Sequence, residues 1–176
     1  MYPDYISAKK MRANYEGNVF SPMGCRAFLP PYKDQKGNYK FEGRFNMGAC
    51  SINLPQIGIL AGGSEEKFFE ILEKRLDLVK RVGLLRYEHL KKVSSDSSPI
   101  HWQHGAIARL GKHESIAPLL LNGYSTVSLG YIGIYEATML IKGVSHTDKK
   151  GYDFAMRIMD TLNDAVNKWT EEYGIK

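Results

Sequence analysis

A lone cysteine in an irregular stretch is the first residue of this sequence whose type could do chemistry. Cys25 stands in SPMGCRAFLPPY, residues 21–32, where Pro22, Gly24 and two later prolines exclude a regular helix or strand. The adjacent Arg26 would favour the nucleophilic thiolate. A polar cysteine mechanism also needs a histidine base, and none is near in the sequence. The residues by themselves leave Cys25 open between a functional thiol at a loop tip and a small packing group.

The second cysteine lies in a segment of different character. Cys50 belongs to RFNMGACSINLP, residues 44–55, whose residue pattern predicts a strand that is covered on both faces. A cysteine in an apolar strand is typical of inert packing. Two cysteines are too few for a disulfide framework, so we expect a reducing, cytoplasmic setting and no disulfide between Cys25 and Cys50.

Two histidines are spaced so that they could share a metal ion. His101 and His104, in HWQHG, are three residues apart, which places them on one face of a helix. Zinc needs at least a third protein ligand, and His113 and Glu114 would supply it only if the fold brought them together. The alternative, hydrogen-bonded histidines on the surface or in the core, is favoured, and we expect no metal site in this segment.

A glycine-containing segment offers a third candidate. SLGYIGIYE, residues 128–136, could hold an anion at a helix N-terminus, although it matches neither the P-loop nor the dinucleotide-binding fingerprint. Gly130 and Gly133 could equally permit close packing of a helix on a strand. The sequence contains no nucleophile elbow and no carboxylate pair with diagnostic spacing.

Local signals predict the elements that would position these residues. Asp4 caps a first helix that ends by Gly17, and residues 18–32 are irregular. A turn at residues 36–38 joins two short extended pieces, and a strand follows at residues 45–52. The other predicted elements are a helix from Ser64 to about Val93 with a weak point at Gly83, a strand at 125–129, a glycine turn at Gly130 and Gly133, a helix from Ile134, and a helix over about 148–173. Strand, glycine turn and helix in succession indicate an α/β fold, and we treat residues 1–176 as a single segment.

Composition limits the classes of partner. The 176 residues carry a net charge of +5, but the basic residues are dispersed as isolated pairs, and no nucleic-acid-binding motif accompanies them. No apolar run approaches the roughly 20 residues that span a bilayer. The opening MYPDYISAKK lacks the apolar core of a secretory signal. We therefore predict neither a nucleic-acid nor a membrane partner.

Four motifs together resemble a known family. PDYISAKKMR, SPMGCR, GRFNMGACSINLP and NGYSTVSLGYIGIYE occur in this order and are similar to consecutive landmarks of the anaerobic (class III) ribonucleoside-triphosphate reductases, which are oxygen-sensitive glycyl-radical enzymes. The resemblance extends over essentially the whole chain. It implies a helix-rich α/β fold that forms a partial segment of a ten-stranded α/β barrel, with a finger loop at about residues 18–32.

The resemblance also implies roles for two residues. Cys25 matches the finger-loop cysteine that becomes a thiyl radical and takes the 3′-hydrogen of the substrate ribose. Because the reactive state is then a radical, no histidine base is needed. Asn46 matches an active-site amide that would bind the ribose hydroxyls or the reductant formate. The implied activity is anaerobic reduction of ribonucleoside triphosphates to deoxyribonucleoside triphosphates for DNA synthesis.

The same resemblance implies cofactors and partners that this segment does not itself hold. The complete enzyme would use a glycyl radical made by an S-adenosylmethionine iron–sulfur activating enzyme, a structural zinc, and formate or a thiol protein as reductant, and would form a homodimer. The family's glycyl-radical motif and four-cysteine zinc site are not in these 176 residues, so we expect an enzyme fragment that is inactive alone. The alternative is a non-catalytic relative that keeps the fold as a binding or structural module.

Overall fold

The computed structural model describes residues 5–19, 32–34, 36–41 and 43–175. The finger loop predicted at about residues 18–32, with Cys25, therefore lies almost entirely outside the described residues, and so does Asp4. The helices and strands, in chain order, are α1 (Tyr5–Asn14), β1 (Tyr32–Lys33), β2 (Tyr39–Lys40), β3 (Phe45–Asn53), α2 (Leu54–Ala61), α3 (Glu65–Leu90), α4 (Pro99–Trp102), β4 (Ser125–Ile132), α5 (Ile134–Lys142) and α6 (Lys149–Tyr173).

The predicted turn near residue 37 is confirmed as the link between β1 and β2. These two short strands pair in antiparallel fashion. The Asp34 carboxylate accepts hydrogen bonds from the backbone N–H groups of Lys36, at 2.8 Å, and Asn38, at 2.9 Å. Gly37 has a φ of 82°, which a residue without a Cβ adopts readily. An Asp side chain and a glycine thus fix this turn locally.

Strands β3 and β4 form the parallel pair on which the fold is organised. Their register runs from Phe45 opposite Ser125 to Asn53 opposite Ile132. The connection from β3 to β4 passes through α2, α3 and α4, as a parallel pair requires a crossover. The α/β class predicted from the sequence is confirmed.

Helices α3 and α6 begin where the sequence predicts. The Ser64 side chain accepts a hydrogen bond from the N–H of Lys67, and the Asp148 side chain accepts one from the N–H of Lys150. Gly174 ends α6 with a φ of 66°. The main core contains the stripes of both helices together with residues of α2, and its buried members include Phe68, Leu72, Leu76, Phe154, Ile158 and Leu162.

One helix was not predicted, and one local prediction is wrong. Helix α2 begins at Leu54, directly after β3, because the Asn53 side chain caps it by accepting from the N–H of Gln56. Strand β4 continues through Gly130 to Ile132 rather than turning there. Gly130 permits close strand pairing, since a Cβ at this position would lie 2.7 Å from the Ser51 hydroxyl oxygen.

The prediction that β3 is covered on both faces is also wrong for the described residues. Ile52 is buried in the core with α3 and α6, whereas Ala49, Ser51 and Asn53 are exposed. One face of the parallel pair therefore packs on helices and the other presents small and polar side chains. In the part of the chain that the structure describes, no helix is both long and apolar enough to cross a membrane.

Candidate functional site

The first half of β3 carries Asn46, the predicted substrate ligand, beside an irregularity in the strand. Asn46 lies opposite Thr126 of β4, and the register then shifts so that Gly48 lies opposite Val127. Such a bulge places an extra residue in one strand and changes the direction of the side chains next to it. The backbone itself thus sets the position of the Asn46 amide.

Two hydrogen bonds hold the half-buried Asn46 amide. Its Oδ1 accepts from the backbone N–H of Gly48 at 2.7 Å. Its Nδ2 donates to the hydroxyl oxygen of Ser128, which lies 82 residues away in the sequence on β4. Both ends of the amide are therefore engaged, and its orientation is defined by a donor on one side and an acceptor on the other.

At the bulge, the Arg86 side chain of α3 lies close to the backbone of Gly48 in β3. Gly48 has a φ of 150°, and a Cβ built there would come within 1.7 Å of Nη1 of Arg86. The Arg86 side chain thus occupies the space that any other residue at position 48 would need. The backbone conformation favours glycine here, and any side chain at position 48 would displace the Arg86 guanidinium.

Ser128 and Asn46 share the face of the parallel pair that points away from the core helices. Alternation along β4 sends Val127 and Leu129 to one face and Thr126 and Ser128 to the other. Val127 lies 3.8 Å from the position of a Cβ on Gly83 of α3, which identifies the helix side. The Asn46 amide is therefore presented on the opposite, polar side.

Thr126 adds a second hydroxyl to this polar face. Its side chain is 4% exposed, and its Oγ1 has no hydrogen-bond partner among the residues that the structure describes. A buried hydroxyl without a partner is costly, so a water molecule or a polar ligand group that bonds to it would be stabilising. Thr126 lies directly opposite Asn46 in the strand register.

The amide of Asn46 can bind a polar ligand without adding charge. An amide has two N–H donors and an oxygen with two acceptor positions, and the two observed bonds use one of each. One donor and one acceptor position remain. This combination suits a hydroxyl group, which both donates and accepts, and the amide takes no part in proton transfer because it does not titrate.

Burial shifts the pKa values of two side chains near the start of β3, Arg44 and Tyr124. It lowers the pKa of Arg44, although the nearby Tyr124 partly opposes this effect. Burial likewise raises the pKa of Tyr124, whose hydroxyl donates to the backbone oxygen of Ile107 at 3.1 Å. The Tyr124 ring contacts that of Tyr32 edge to face, with ring centroids 5.4 Å apart.

Of the two cysteines, the structure describes only Cys50. Cys25 lies outside the described residues, so its distance from Asn46 is not given by the structure. Cys50 is a half-buried free thiol in β3, opposite Leu129. That position agrees with the predicted strand, and the thiol belongs to the face that contacts the helices.

Two of the histidines considered as metal ligands form hydrogen bonds with neighbouring side chains instead. Nδ1 of His101 lies 2.6 Å from the Ser98 hydroxyl, and Nδ1 of His113 lies 2.5 Å from Oδ2 of Asp96. Partial burial raises the pKa of Asp96, but hydrogen bonds from His113 and Gln103 outweigh it and hold that pKa below its usual value. Among the described residues, no group of three or more His, Cys, Asp or Glu side chains could hold a metal ion.

In the segment SLGYIGIYE, residues 128–136, the structure favours close packing between elements over an anion site. Gly133 begins α5 with a φ of 75°, and a Cβ there would come 2.2 Å from the ring of Pro55 in α2. The carboxylate of Glu136 lies 3.3 Å from the same point. A proline and an acidic side chain thus occupy the approach that an anion would use.

A cavity of about 60 Å³ lies against β4, between α3 and α6, and Ser128 is among the residues that line it. Its lining is mainly apolar and includes Val79, Leu84, Leu129, Val166 and Trp169. Asn46 does not line this cavity. The cavity has the character of imperfect packing between two helices and a strand rather than of a polar binding site.

Sequence reasoning missed Ser128 and Gly48 as partners of Asn46. Ser128 belongs to a segment that was considered for its glycines, its predicted strand and its resemblance to the family, with no role assigned to the serine. No local signal connects residues 46 and 128, because their contact depends on the register of a parallel pair. The glycine at position 48 interrupts the strand pattern, and an isolated glycine in a strand is the one available signal of a bulge.

Comparison with known proteins gives consistent results over the whole chain. The family model described as "Anaerobic ribonucleoside-triphosphate reductase" matches residues 1–176. The chain is 40% identical over 180 residues to the anaerobic ribonucleoside-triphosphate reductase of Enterobacteria phage T4, covering 99% of this chain and 28% of that protein. It is 33% identical over 177 residues to the enzyme of the same name from Escherichia coli K12, covering 99% and 25%. The chain thus spans about a quarter of the length of these relatives.

Solved structures support the same fold. The anaerobic ribonucleotide reductase from Thermotoga maritima with glycerol in the active site matches with a TM-score of 0.57 at 22% identity, over 86% of this chain and 24% of that one. The same enzyme in complex with dATP and CTP matches with a TM-score of 0.54 at 22% identity, over 78% and 24%. The chain has part of the α/β fold of these glycyl-radical enzymes, as predicted.

Proposed function

Because this chain belongs to the anaerobic ribonucleoside-triphosphate reductase family, we propose that it is a segment of an enzyme that reduces ribonucleoside triphosphates to deoxyribonucleoside triphosphates. The observation that carries the proposal is the Asn46 amide, held at the β3 bulge by Gly48 and Ser128 with a donor and an acceptor position remaining. Asn46 and Gly48 lie in the motif GRFNMGACSINLP, which resembles the family, and the family model matches residues 1–176.

In this proposal Cys25 carries the radical. In the complete enzyme, a glycyl radical would take the hydrogen atom of the Cys25 thiol, which leaves a thiyl radical at Cys25. The Cys25 sulfur would then form an S–H bond by taking the 3′-hydrogen of the ribose, and C2′ would lose its hydroxyl group as water. Formate, oxidised to carbon dioxide, or a thiol protein, oxidised to a disulfide, would supply the two electrons that place a hydrogen at C2′. Cys25 would finally return its hydrogen atom to C3′, which gives the deoxynucleotide and restores the thiyl. Such a radical must be held against one C–H bond and shielded from water and oxygen, which is the task of a loop enclosed by a barrel.

Asn46 is the proposed substrate ligand. Its remaining N–H and acceptor position fit a ribose hydroxyl, and the N–H by itself fits an oxygen of the formate carboxylate. An uncharged group suits a radical step, because it positions the substrate without offering a titrating proton. The hydroxyl of Thr126, opposite Asn46, has no hydrogen-bond partner among the described residues, which supports a polar group from elsewhere near this position.

The proposed partners follow from the family. They are a ribonucleoside triphosphate, a radical S-adenosylmethionine activating enzyme, and a second copy of the complete chain in a cytoplasmic homodimer. The relative from Thermotoga maritima was solved with dATP and CTP, which are nucleotides of the expected class. The structural zinc is assigned elsewhere in the enzyme, because two cysteines cannot form a four-cysteine site and the described residues contain no cluster that would fit the metal.

A hybrid enzyme tests the proposal. Residues 1–176 replace the matching segment of the phage T4 relative, and anaerobic turnover is measured beside an electron-spin-resonance count of glycyl radical. We expect Cys25→Ser to abolish turnover while the radical count is unchanged, because an O–H bond is too strong to be cleaved by a glycyl radical. Cys50→Ser is the matched control and should retain turnover.

Two outcomes would contradict the proposal. Substantial turnover by Cys25→Ser with a normal radical count would show that Cys25 is only a packing residue. A hybrid that folds and holds the radical but produces no deoxynucleotide would favour the alternative, in which the segment belongs to a non-catalytic relative.

A further inference from the structure

We propose that Ser128 is a positioning residue that holds the Asn46 amide in place toward the substrate. The inference rests on the proposed role of Asn46 as substrate ligand. Its basis is the hydrogen bond from Nδ2 of Asn46 to the Ser128 hydroxyl oxygen, across the parallel pair of β3 and β4.

An unsupported amide can present either end to a ligand. The oxygen and nitrogen ends of an asparagine side chain have the same shape, so only hydrogen-bond partners distinguish them. At Asn46 the backbone N–H of Gly48 binds the oxygen and the hydroxyl of Ser128 binds the nitrogen. The reversed amide would set two donors against each other at Gly48. The Gly48 N–H therefore sets which end is which, and the hydroxyl of Ser128, which accepts from the nitrogen, holds the side chain in that position.

The fold keeps both partners in place. Gly48 is fixed by the bulge and by the Arg86 side chain packed against it. Ser128 sits on a strand whose neighbours Val127 and Leu129 pack toward the helix side, so its direction is set by alternation. Groups on paired strands keep their geometry more accurately than groups on loops, which is what a ligand-positioning contact requires.

Ser128 is suited to this task by size and chemistry. A hydroxyl can accept from Asn46 and still donate its own hydrogen. A larger polar side chain at this point would project into the space in front of the amide. The small residues on the same face, Ala49, Ser51 and Gly130, leave that space open.

The test uses the hybrid enzyme and three substitutions at one position. Ser128→Thr keeps the hydroxyl, Ser128→Val has the same shape as threonine without it, and Ser128→Ala removes it without adding bulk. We expect kcat/KM to fall about three- to tenfold for Ser128→Val and Ser128→Ala, the factor that one hydrogen bond commonly contributes, with the radical count unchanged. Ser128→Thr should stay near the parent value, and so should the control Ser51→Ala on β3.

A double-mutant cycle separates positioning from a general structural role. If Ser128 acts through the amide, Ser128→Ala should have no further effect on kcat/KM in an Asn46→Ala background. An equal loss in both backgrounds would overturn the inference, and so would equal losses for Ser128→Thr and Ser128→Val.

The same measurements distinguish a failure of this inference from a failure of the proposed role of Asn46 as substrate ligand. If Asn46→Ala leaves turnover intact, the substrate-binding role of Asn46 fails. If Asn46→Ala lowers turnover and neither Ser128→Ala nor Ser128→Val does, the role of Asn46 stands and the positioning role of Ser128 is wrong.

Discussion

Phe68 of α3 and Phe154 of α6 pack edge to face, with their ring centroids 5.1 Å apart and their planes at 66°. Both side chains are essentially fully buried. Phe69 joins them, since its ring centroid lies 5.6 Å from that of Phe68 and 5.8 Å from that of Phe154. This aromatic cluster links the two long helices at their N-terminal ends, and so holds the helical layer on which the parallel pair rests.

We expect Phe154→Ala to be strongly destabilising. It removes a buried ring from a packed cluster and leaves a cavity, a change that costs about 3–5 kcal/mol in protein cores. The free energy of unfolding from urea denaturation measures it. Tyr152→Ala on the exposed side of the same helix is the control, and its cost should be well below that of Phe154→Ala. Equal costs would mean that the cluster does not stabilise the fold.

Two helical glycines should respond to alanine in opposite directions. At Gly151 in α6, a Cβ would lie 2.0 Å from the backbone oxygen of Ser145, so Gly151→Ala forces the backbone to move and should destabilise by about 1–3 kcal/mol. At Gly83 in α3, the nearest atom is the Val127 methyl at 3.8 Å. Gly83→Ala should therefore stabilise by roughly 0.5–1 kcal/mol through helix propensity. Thermal unfolding of both variants tests the opposite signs.

Asn46→Ala should lower turnover of the hybrid enzyme without affecting its radical. Loss of the amide leaves a polar substrate group unpaired, which should raise the transition-state free energy by about 1–3 kcal/mol. The measurement is kcat/KM beside the glycyl-radical count. Asn163→Ala, at an exposed position of α6, controls for the loss of an amide elsewhere. A radical count that falls together with turnover would indicate damage to the fold instead.

The Asp96–His113 contact should make stability depend on pH in acid. The pKa of Asp96 is held below its ordinary value of 3.8, where hydrogen bonds to the charged form outweigh burial. A carboxyl with a lowered pKa in the folded state contributes stability above its unfolded pKa and loses it as pH falls through the folded pKa. The Tm difference between the parent and Asp96→Asn should therefore be present at about pH 5 and shrink below about pH 4. A difference that grows in acid would contradict this assignment.

The sequence by itself determined the elements that depend on neighbouring residues. Ser64 and Asp148 cap the two long helices through contacts within three residues, and Gly174 ends the second with a left-handed conformation. Asp34 and Gly37 form their turn in the same local way. The family landmarks are likewise short contiguous motifs, and they identified Cys25 and Asn46 as candidates before any contact was known.

Only the tertiary structure decided how these elements combine. The register of β3 on β4, the bulge at Gly48 and the contact between Asn46 and Ser128 join residues about 80 positions apart. A parallel pair has no turn to fix its register, so side-chain packing across the whole domain sets it. Helix α2 was missed for a related reason. Its cap and buried face, with Leu54 and Ile57 in the core, become decisive only once α3 and α5 pack against it.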